Sequence, residues 1–82
     1  MKLKVLTSVK TVVDATVESV SAPGLKGEFQ ILPRHASYLT LLGEGRGDYV
    51  ENGRSYPLQI SGGIAWIADD QVTLLVDKAE TV

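Results

Sequence analysis

The lack of helical periodicity is the feature that most constrains what this sequence can fold into. No segment keeps apolar residues at the i, i+3, i+4 and i+7 spacing of an amphipathic helix for three turns. Instead, apolar residues alternate in short runs, namely 3–7, 56–60, 64–67 and 72–76. Since successive side chains of a strand point to opposite faces, this alternation predicts half-buried strands. Many short strands separated by turns predict an antiparallel β-sandwich or barrel.

Turn residues divide the predicted strands. Asn52-Gly53 predicts a β-hairpin, because both residues tolerate the positive φ of a type I′ turn. Pro57 restricts its strand to a sheet edge, or to a register in which the missing N–H faces away from a neighbour. Further interruptions are predicted as loops at 22–27 and 43–47, a bulge or tight bend at 61–63, and a turn at 69–70.

Length and composition favour one globular domain over residues 1–82. Hydrophobic content of 44% and a charged fraction of 22% are typical of folded domains, so disorder is not expected. A net charge of −2 argues against a binder of nucleic-acid backbones, which carries a basic stripe. The sequence has no cysteine, which excludes a disulfide scaffold. Neither a signal peptide nor a membrane span is expected, because no apolar run is long enough.

His35 is the one histidine and the first candidate for chemistry. It could act as a base with Ser37, hydrogen-bond the backbone of a loop, or lie at a protein interface. No G-x-S-x-G motif supports the first alternative. One histidine with scattered carboxylates does not reach the ligand count of a zinc site, and Asp69-Asp70 lacks the spaced oxygens of a calcium loop. We therefore predict no catalytic residue, metal or cofactor.

Lys78, in the run VDKAE at 76–80, supports a different hypothesis. Lipoyl and biotinyl carrier domains are β-sandwiches of about this length that carry a modified lysine in an Asp-Lys-Ala sequence. Such a lysine must lie on a turn between two strands, and no strand is predicted after Lys78. A carrier domain modified at Lys78 is kept as the alternative function.

Six short motifs occur in an order that spans nearly the whole chain: APG at 22–24, GEF at 27–29, ILPRHA at 31–36, LL at 41–42, SGG at 61–63 and DKAE at 77–80. Together they resemble the N-terminal domain of the epsilon subunit of F-type ATP synthases. The resemblance implies a flattened β-sandwich of about ten short strands. Three positions depart from the usual family pattern: Gln30 and Arg34 stand where glycine is usual, and Ser37 where proline is frequent. Arginine narrows the backbone conformations open to position 34.

The resemblance also implies a function. The family domain belongs to the central rotor, binds the gamma subunit, rests on the polar loops of the membrane c-ring, and performs no chemistry itself. It would lie at the surface of the energy-coupling membrane, on the cytoplasmic side in bacteria, and reach the α3β3 head indirectly. Family members usually continue into a C-terminal helical hairpin, so we expect a naturally short member or a shortened form.

Site residues carried over from the family fall into two groups. The c-ring-facing loop would comprise Glu28, Phe29, Ile31, Leu32, Pro33 and Arg34, with the carboxylate of Glu28 suited to basic ring loops. The gamma-facing residues would be His35, Thr40 and Ser61. Two alternatives remain open at this point: Phe29 and Ile31 could point into the core, and Glu28 could be only a solvated carboxylate.

Overall fold

Eight β-strands form the fold in the computed structural model, which describes residues 1–34 and 37–81. The strands are β1 (Lys2–Leu6), β2 (Thr11–Thr16), β3 (Ser19–Gly24), β4 (Gly27–Ile31), β5 (Tyr38–Leu42), β6 (Gly45–Glu51), β7 (Arg54–Ala68) and β8 (Gln71–Thr81). No helix occurs within these two ranges. The prediction of an all-β sandwich is confirmed.

The two longest strands, β7 and β8, run through both layers of the sandwich. Residues 63–67 of β7 pair with β5, whereas residues 54–60 pair with β6. The first layer is therefore β2, β1, residues 71–75 of β8, residues 64–68 of β7, and β5. The second layer is residues 77–81 of β8, residues 54–60 of β7, β6, β3 and β4. Counted by their halves, β7 and β8 bring the eight strands to the predicted ten.

The tight bend predicted at 61–63 joins the two layers. Gly62 and Gly63 have φ values of 55° and 142°, in the region that favours glycine. The pairing of β7 with β8 keeps one register on both sides of the bend, so no residue is inserted. The buried positions nevertheless change phase, from Leu58 and Ile60 before the bend to Ala65 and Ile67 after it. The bend thus lets one strand supply the core from both layers.

Two hairpin turns agree with the prediction. Asn52 and Gly53 have φ values of 52° and 78° and connect β6 to β7. Asp69 and Asp70, with φ values of 52° and 60°, connect β7 to β8. Left-handed conformation at both turn residues is the type I′ geometry, whose twist matches that of the flanking strands.

Two predicted loops, at 22–27 and 43–47, are partly strand. Residues 22–24 belong to β3, and residues 45–47 begin β6. The glycines in these segments are needed for close backbone approach: a Cβ on Gly47 would lie 2.4 Å from the carbonyl oxygen of Ser21, and one on Gly24 would lie 2.9 Å from that of Gly27. Gly47 therefore marks close packing inside a strand, and Gly24 allows the same close approach where β3 meets the hairpin.

The predicted antiparallel arrangement has one exception. β1 pairs with β8 in the parallel sense, from Lys2 opposite Gln71 to Leu6 opposite Leu75. Alternation along a strand has the same period in both kinds of pairing, so it carries no information on direction.

The core lies between the two layers and is entirely apolar among the described residues. Its largest fully buried side chains are Leu3, Ile31, Leu58, Ile60, Ile67 and Leu74. Burying a side chain of this size stabilises the fold by roughly 1.5–3 kcal/mol. The core strands thereby hold the outward-facing side chains in a fixed register.

Candidate docking surface

Large apolar side chains cover the outer face of part of the first layer. Leu39 and Leu41 of β5 lie opposite Trp66 and Ile64 of β7, and Ile64 lies opposite Leu75 of β8. Residues directly opposite each other on neighbouring strands share a face of the sheet. The side chains in this set, which we name the apolar face, are all exposed: Leu39, Leu41, Ile64, Trp66 and Leu75.

Exposure on this scale distinguishes the apolar face from scattered surface residues. Leu39 is 67% exposed and Trp66 is 57% exposed. Contiguous apolar surface of this kind typically marks an interaction site, whereas single exposed apolar residues need no explanation. Covering a half-exposed side chain of this size would contribute about 1 kcal/mol, from the known cost of exposing apolar area.

The apolar face has a charged border on β1. Lys4 lies opposite Thr73 on one side and Asp14 on the other, and Lys2 lies opposite Gln71 and Thr16. On this face the residues of β5 and β7 are apolar, whereas β8 presents Gln71 and Thr73 before Leu75. Leu6 of β1 lies opposite Leu75. The polar margin is therefore formed by Lys2 and Lys4 with their neighbours on β8 and β2. A partner that fits it would be apolar at its centre and polar at one margin.

The outer face of the second layer is polar. Its opposed pairs include Arg46 with Gln59, Gln59 with Glu80, and Ser61 with Lys78. Of the two outer faces, only that of the first layer has the composition of a docking surface.

A groove borders the apolar face beyond β5. It has a volume of about 790 Å³ and lies between the β3–β4 hairpin and β5. Phe29 and Tyr38 pack edge to face across it, with ring centroids 6.4 Å apart. Leu39, Leu41 and Ile64 line both the groove and the apolar face, so the two surfaces are continuous.

The predicted c-ring-facing loop divides into residues of different kinds. Glu28 is exposed on β4, and Leu32, Pro33 and Arg34 are exposed in the turn that follows it. Ile31, in contrast, is fully buried in the core because β4 alternates inward at that position. Its assignment to the contact loop was wrong, and the core alternative was right.

Phe29 is half-buried and packs against the core. Its side chain lies on the same side of β4 as Ile31, two residues away. Its ring packs edge to face with that of Tyr38, so only part of it remains available to a partner.

Arg34 has a φ of 67°, in the left-handed region where glycine is favoured. Its N–H donates a hydrogen bond to Oδ1 of Asp70 at 3.3 Å. The turn at 32–34 therefore lies beside the turn at 69–70, at one end of the sandwich. Arg34 therefore adopts the left-handed backbone conformation that the usual glycine would favour.

Two of the three predicted gamma-facing residues lie in the described part of the chain. Thr40 is half-buried on β5, between Leu39 and Leu41. Ser61 is half-buried at the start of the bend of β7, opposite Lys78. His35 lies outside the described residues.

Sequence reasoning missed the five members of the apolar face. A signal was present, since Ile64 and Trp66 alternate with Ala65 and Ile67, so both faces of that part of β7 are apolar. A sheet strand needs one apolar face for the core, and the second apolar face indicates a further partner.

Lys78 lies within β8 and not on a turn. It pairs with Ser61 in the β7–β8 ladder, and its side chain is exposed. The alternative of a carrier modified at Lys78 is therefore wrong, because a swinging lysine must project from a hairpin turn.

Tyr49 is a buried ionisable group on the inner side of β6. Burial raises the pKa of its phenol above the ordinary value of 10.0, and the charges of Glu51 and Tyr56 raise it further. Its ring stacks on that of Tyr56 with centroids 5.2 Å apart.

Neither a metal-binding cluster nor a membrane-spanning helix occurs in the described ranges. Residues 1–34 and 37–81 contain no group of three or more histidines or carboxylates that could hold a metal ion. The same ranges contain no helix of the length and apolarity needed to cross a membrane.

Fold and surface together define a small β-sandwich domain with one exposed apolar face. The family model for the ATP synthase delta/epsilon chain β-sandwich domain matches residues 1–82, and the chain belongs to this family. The predicted resemblance is thus confirmed.

Two curated relatives are both named ATP synthase epsilon chain. The ATP synthase epsilon chain of Herpetosiphon aurantiacus is 42% identical over 80 residues, and that of Nitratidesulfovibrio vulgaris strain DP4 is 39% identical over 80 residues. Each match covers 98% of this chain but only 59% and 60% of the respective relative. The chain therefore spans about three fifths of the length of these proteins.

Solved structures share the fold at low sequence identity. A chain in the Euglena gracilis mitochondrial ATP synthase (OSCP/F1/c-ring) superposes with a TM-score of 0.89 at 22% identity, over 96% of this chain and 51% of the other. A chain in the central stalk and c-ring of the Tetrahymena thermophila mitochondrial enzyme gives 0.80 at 15% identity, over 96% and 64%.

Proposed function

We propose that this domain is a non-catalytic docking module in the central stalk of a rotary F-type ATP synthase. Its apolar face binds the gamma subunit, and the exposed residues of β4 and of the 32–34 turn rest on the polar loops of the c-ring. The pair then rotates with the ring and couples ion flow to ATP synthesis in the α3β3 head. The module lies peripheral to the energy-coupling membrane, on the cytoplasmic side in bacteria.

The observation that carries this proposal is the contrast between the two outer faces. An exposed apolar face on an otherwise polar sandwich is costly in water unless a protein covers it. Family membership and the names of the relatives support a rotary ATP synthase as the assembly that supplies this protein.

Rigidity suits the domain to this role. The β7–β8 ladder extends through both layers, so a force applied at one layer is transmitted to the other through paired backbone and a packed core. A rotor part that deformed easily would lose coupling between its two contacts.

The c-ring contact is proposed for the exposed residues along β4 and in the turn that follows it. Glu28, Leu32 and Arg34 are all exposed and follow one another along β4 and its turn. A carboxylate there complements basic groups on ring loops. Charge reversal by Glu28→Lys should reduce ion-driven ATP synthesis in the reconstituted enzyme, whereas Glu80→Lys, which reverses another exposed carboxylate, should not. Equal activity of the two variants would remove Glu28 from the contact.

Titration calorimetry with the cognate gamma subunit tests the main proposal. Trp66→Ser and Ile64→Ser should each weaken binding about tenfold or more, since each removes a large apolar contact at the centre of the face. Val9→Ser is the matched control, because Val9 is an exposed apolar residue in the β1–β2 turn, outside the face. Unchanged affinity in both face variants would refute the assignment.

A further inference from the structure

One edge of β5 is largely unpaired in the described part of the chain. β5 pairs with β7 along its whole length on one side. On the other side its only strand partner among the described residues is Gly24, opposite Leu42 at the last position of β5. The edge of Leu39 and Leu41 therefore has no neighbouring strand within the described part of the chain.

The backbone groups of this edge face the groove. The N–H of Gly43 donates to the carbonyl oxygen of Pro23 in β3, at 2.8 Å. Since backbone groups alternate sides with a period of two residues, the N–H and C=O groups of Leu41 and Leu39 point to the same side as this N–H. Four consecutive residues of β5, from 38 to 41, line the groove, as expected when a strand edge forms its wall.

The opposite wall is an apolar hairpin with charged residues near its tip. Leu25 and Phe29 of the β3–β4 hairpin line it, with Lys26 and Glu28 among the remaining lining residues. The groove thus offers hydrogen-bonding groups on one wall and apolar contacts on the other. An extended peptide satisfies both, because its backbone pairs with the strand edge while alternate side chains enter the groove.

We propose that the gamma subunit inserts an extended segment into this groove as an added strand on β5. The inference rests on the proposed function, since it identifies part of the partner that covers the apolar face. Continuity supports this occupant: Leu39, Leu41 and Ile64 belong to both surfaces, so a protein seated on the face reaches the groove directly. Every second side chain of the added strand lies next to Leu39 and Leu41 and so enlarges the apolar face. The side chains in between point to the other side of the strand and contact Phe29. The segment is therefore apolar at alternate positions.

A pair of variants at one position separates backbone pairing from side-chain contact. Leu39→Ala removes the apolar side chain and keeps the N–H, whereas Leu39→Pro also removes the N–H that faces the groove. Proline is tolerated at this kind of edge because the β7 side of the ladder does not use that N–H. With the cognate gamma subunit, we expect Leu39→Pro to bind about fivefold more weakly than Leu39→Ala, the effect of one net hydrogen bond.

Amide hydrogen exchange of the unaltered chain provides a test that needs no variant. The amides of Leu39 and Leu41 should exchange at least tenfold more slowly in the complex than in the free chain. The added strand would be overturned if these amides stay unprotected in a saturated complex and the two Leu39 variants bind equally well. The assignment of the apolar face would still hold in that case, provided that Trp66→Ser weakens binding. Normal binding by Trp66→Ser would instead remove the proposed function itself. Protection that appears in the chain alone and grows with its concentration would assign the groove to a second copy and also overturn the proposal.

Discussion

Arg34 illustrates at the scale of one residue how sequence and structure inform each other. The family pattern has glycine where this chain has arginine, and the backbone there has the left-handed φ of 67°. A residue with a Cβ adopts this conformation at a cost of roughly 1–2 kcal/mol. The sequence therefore indicated a constrained position, but the hydrogen bond from its N–H to Asp70, 36 residues away, could not be read from it.

Replacing Arg34 with glycine should remove the cost of its left-handed backbone conformation. Arg34→Gly should raise the free energy of unfolding by up to about 1 kcal/mol, because the gain in the folded state exceeds the extra flexibility of glycine in the unfolded chain. Urea denaturation measures the difference. A loss of stability would show that the arginine side chain makes a contact that outweighs the backbone cost.

Tyr49 predicts how stability changes at high pH. The pKa of its phenol is raised in the folded state, first by burial and then by Glu51 and Tyr56. Its contribution is therefore fully present below the unfolded pKa of about 10, and is lost as pH rises through the folded pKa. The free energy of unfolding should decrease more steeply above pH 10 in the wild type than in Tyr49→Phe. Parallel pH profiles for the two proteins would contradict this assignment.

At the scale of elements, the sequence predicted strands and turns well but misread glycine. Alternation identified the strands that feed the core, and Asn52-Gly53 and Asp69-Asp70 were correctly expected to turn the chain. Gly45 and Gly47 were read as loop residues although they lie in β6. Glycine is compatible with both a loop and close packing of strands, and the neighbour that decides between them, Ser21, is distant in sequence.

The bend of β7 should tolerate no side chain at Gly63. A Cβ at Gly63 would lie 2.1 Å from the carbonyl oxygen of Leu75 and 2.8 Å from Cα of Val76, so backbone would have to move. Gly63→Ala should destabilise the domain by about 3 kcal/mol or more, or prevent folding. Gly27→Ala is the matched control, because Gly27 also has a left-handed φ, of 124°, but nothing within 4 Å of the added Cβ. It should cost about 1–2 kcal/mol. Thermal unfolding compares the two, and equal losses would show that conformation rather than the clash determines the effect.

For the whole molecule, the ordered motifs identified the family and the sandwich, while the surface emerged only from the structure. Register aligns Leu39 with Trp66 and Leu41 with Ile64, which are more than twenty residues apart in sequence. Short-range patterns cannot specify which strands become neighbours, so the apolar face was not predictable as a unit. The carried-over residues Thr40 and Ser61 border this region of the sheet, but its exposed apolar area comes from their neighbours.

Burial of the apolar face by the gamma subunit is the central claim, and the single tryptophan of the chain lies within that face. Trp66 is 57% exposed, so incorporation of 5-fluorotryptophan into this chain alone gives one fluorine signal that reports on the surface. Addition of saturating gamma subunit should shift this signal and abolish its response to a soluble paramagnetic reagent. An unshifted signal that the reagent still broadens, in a complex shown to be saturated, would mean that the apolar face stays open to solvent and does not dock the gamma subunit.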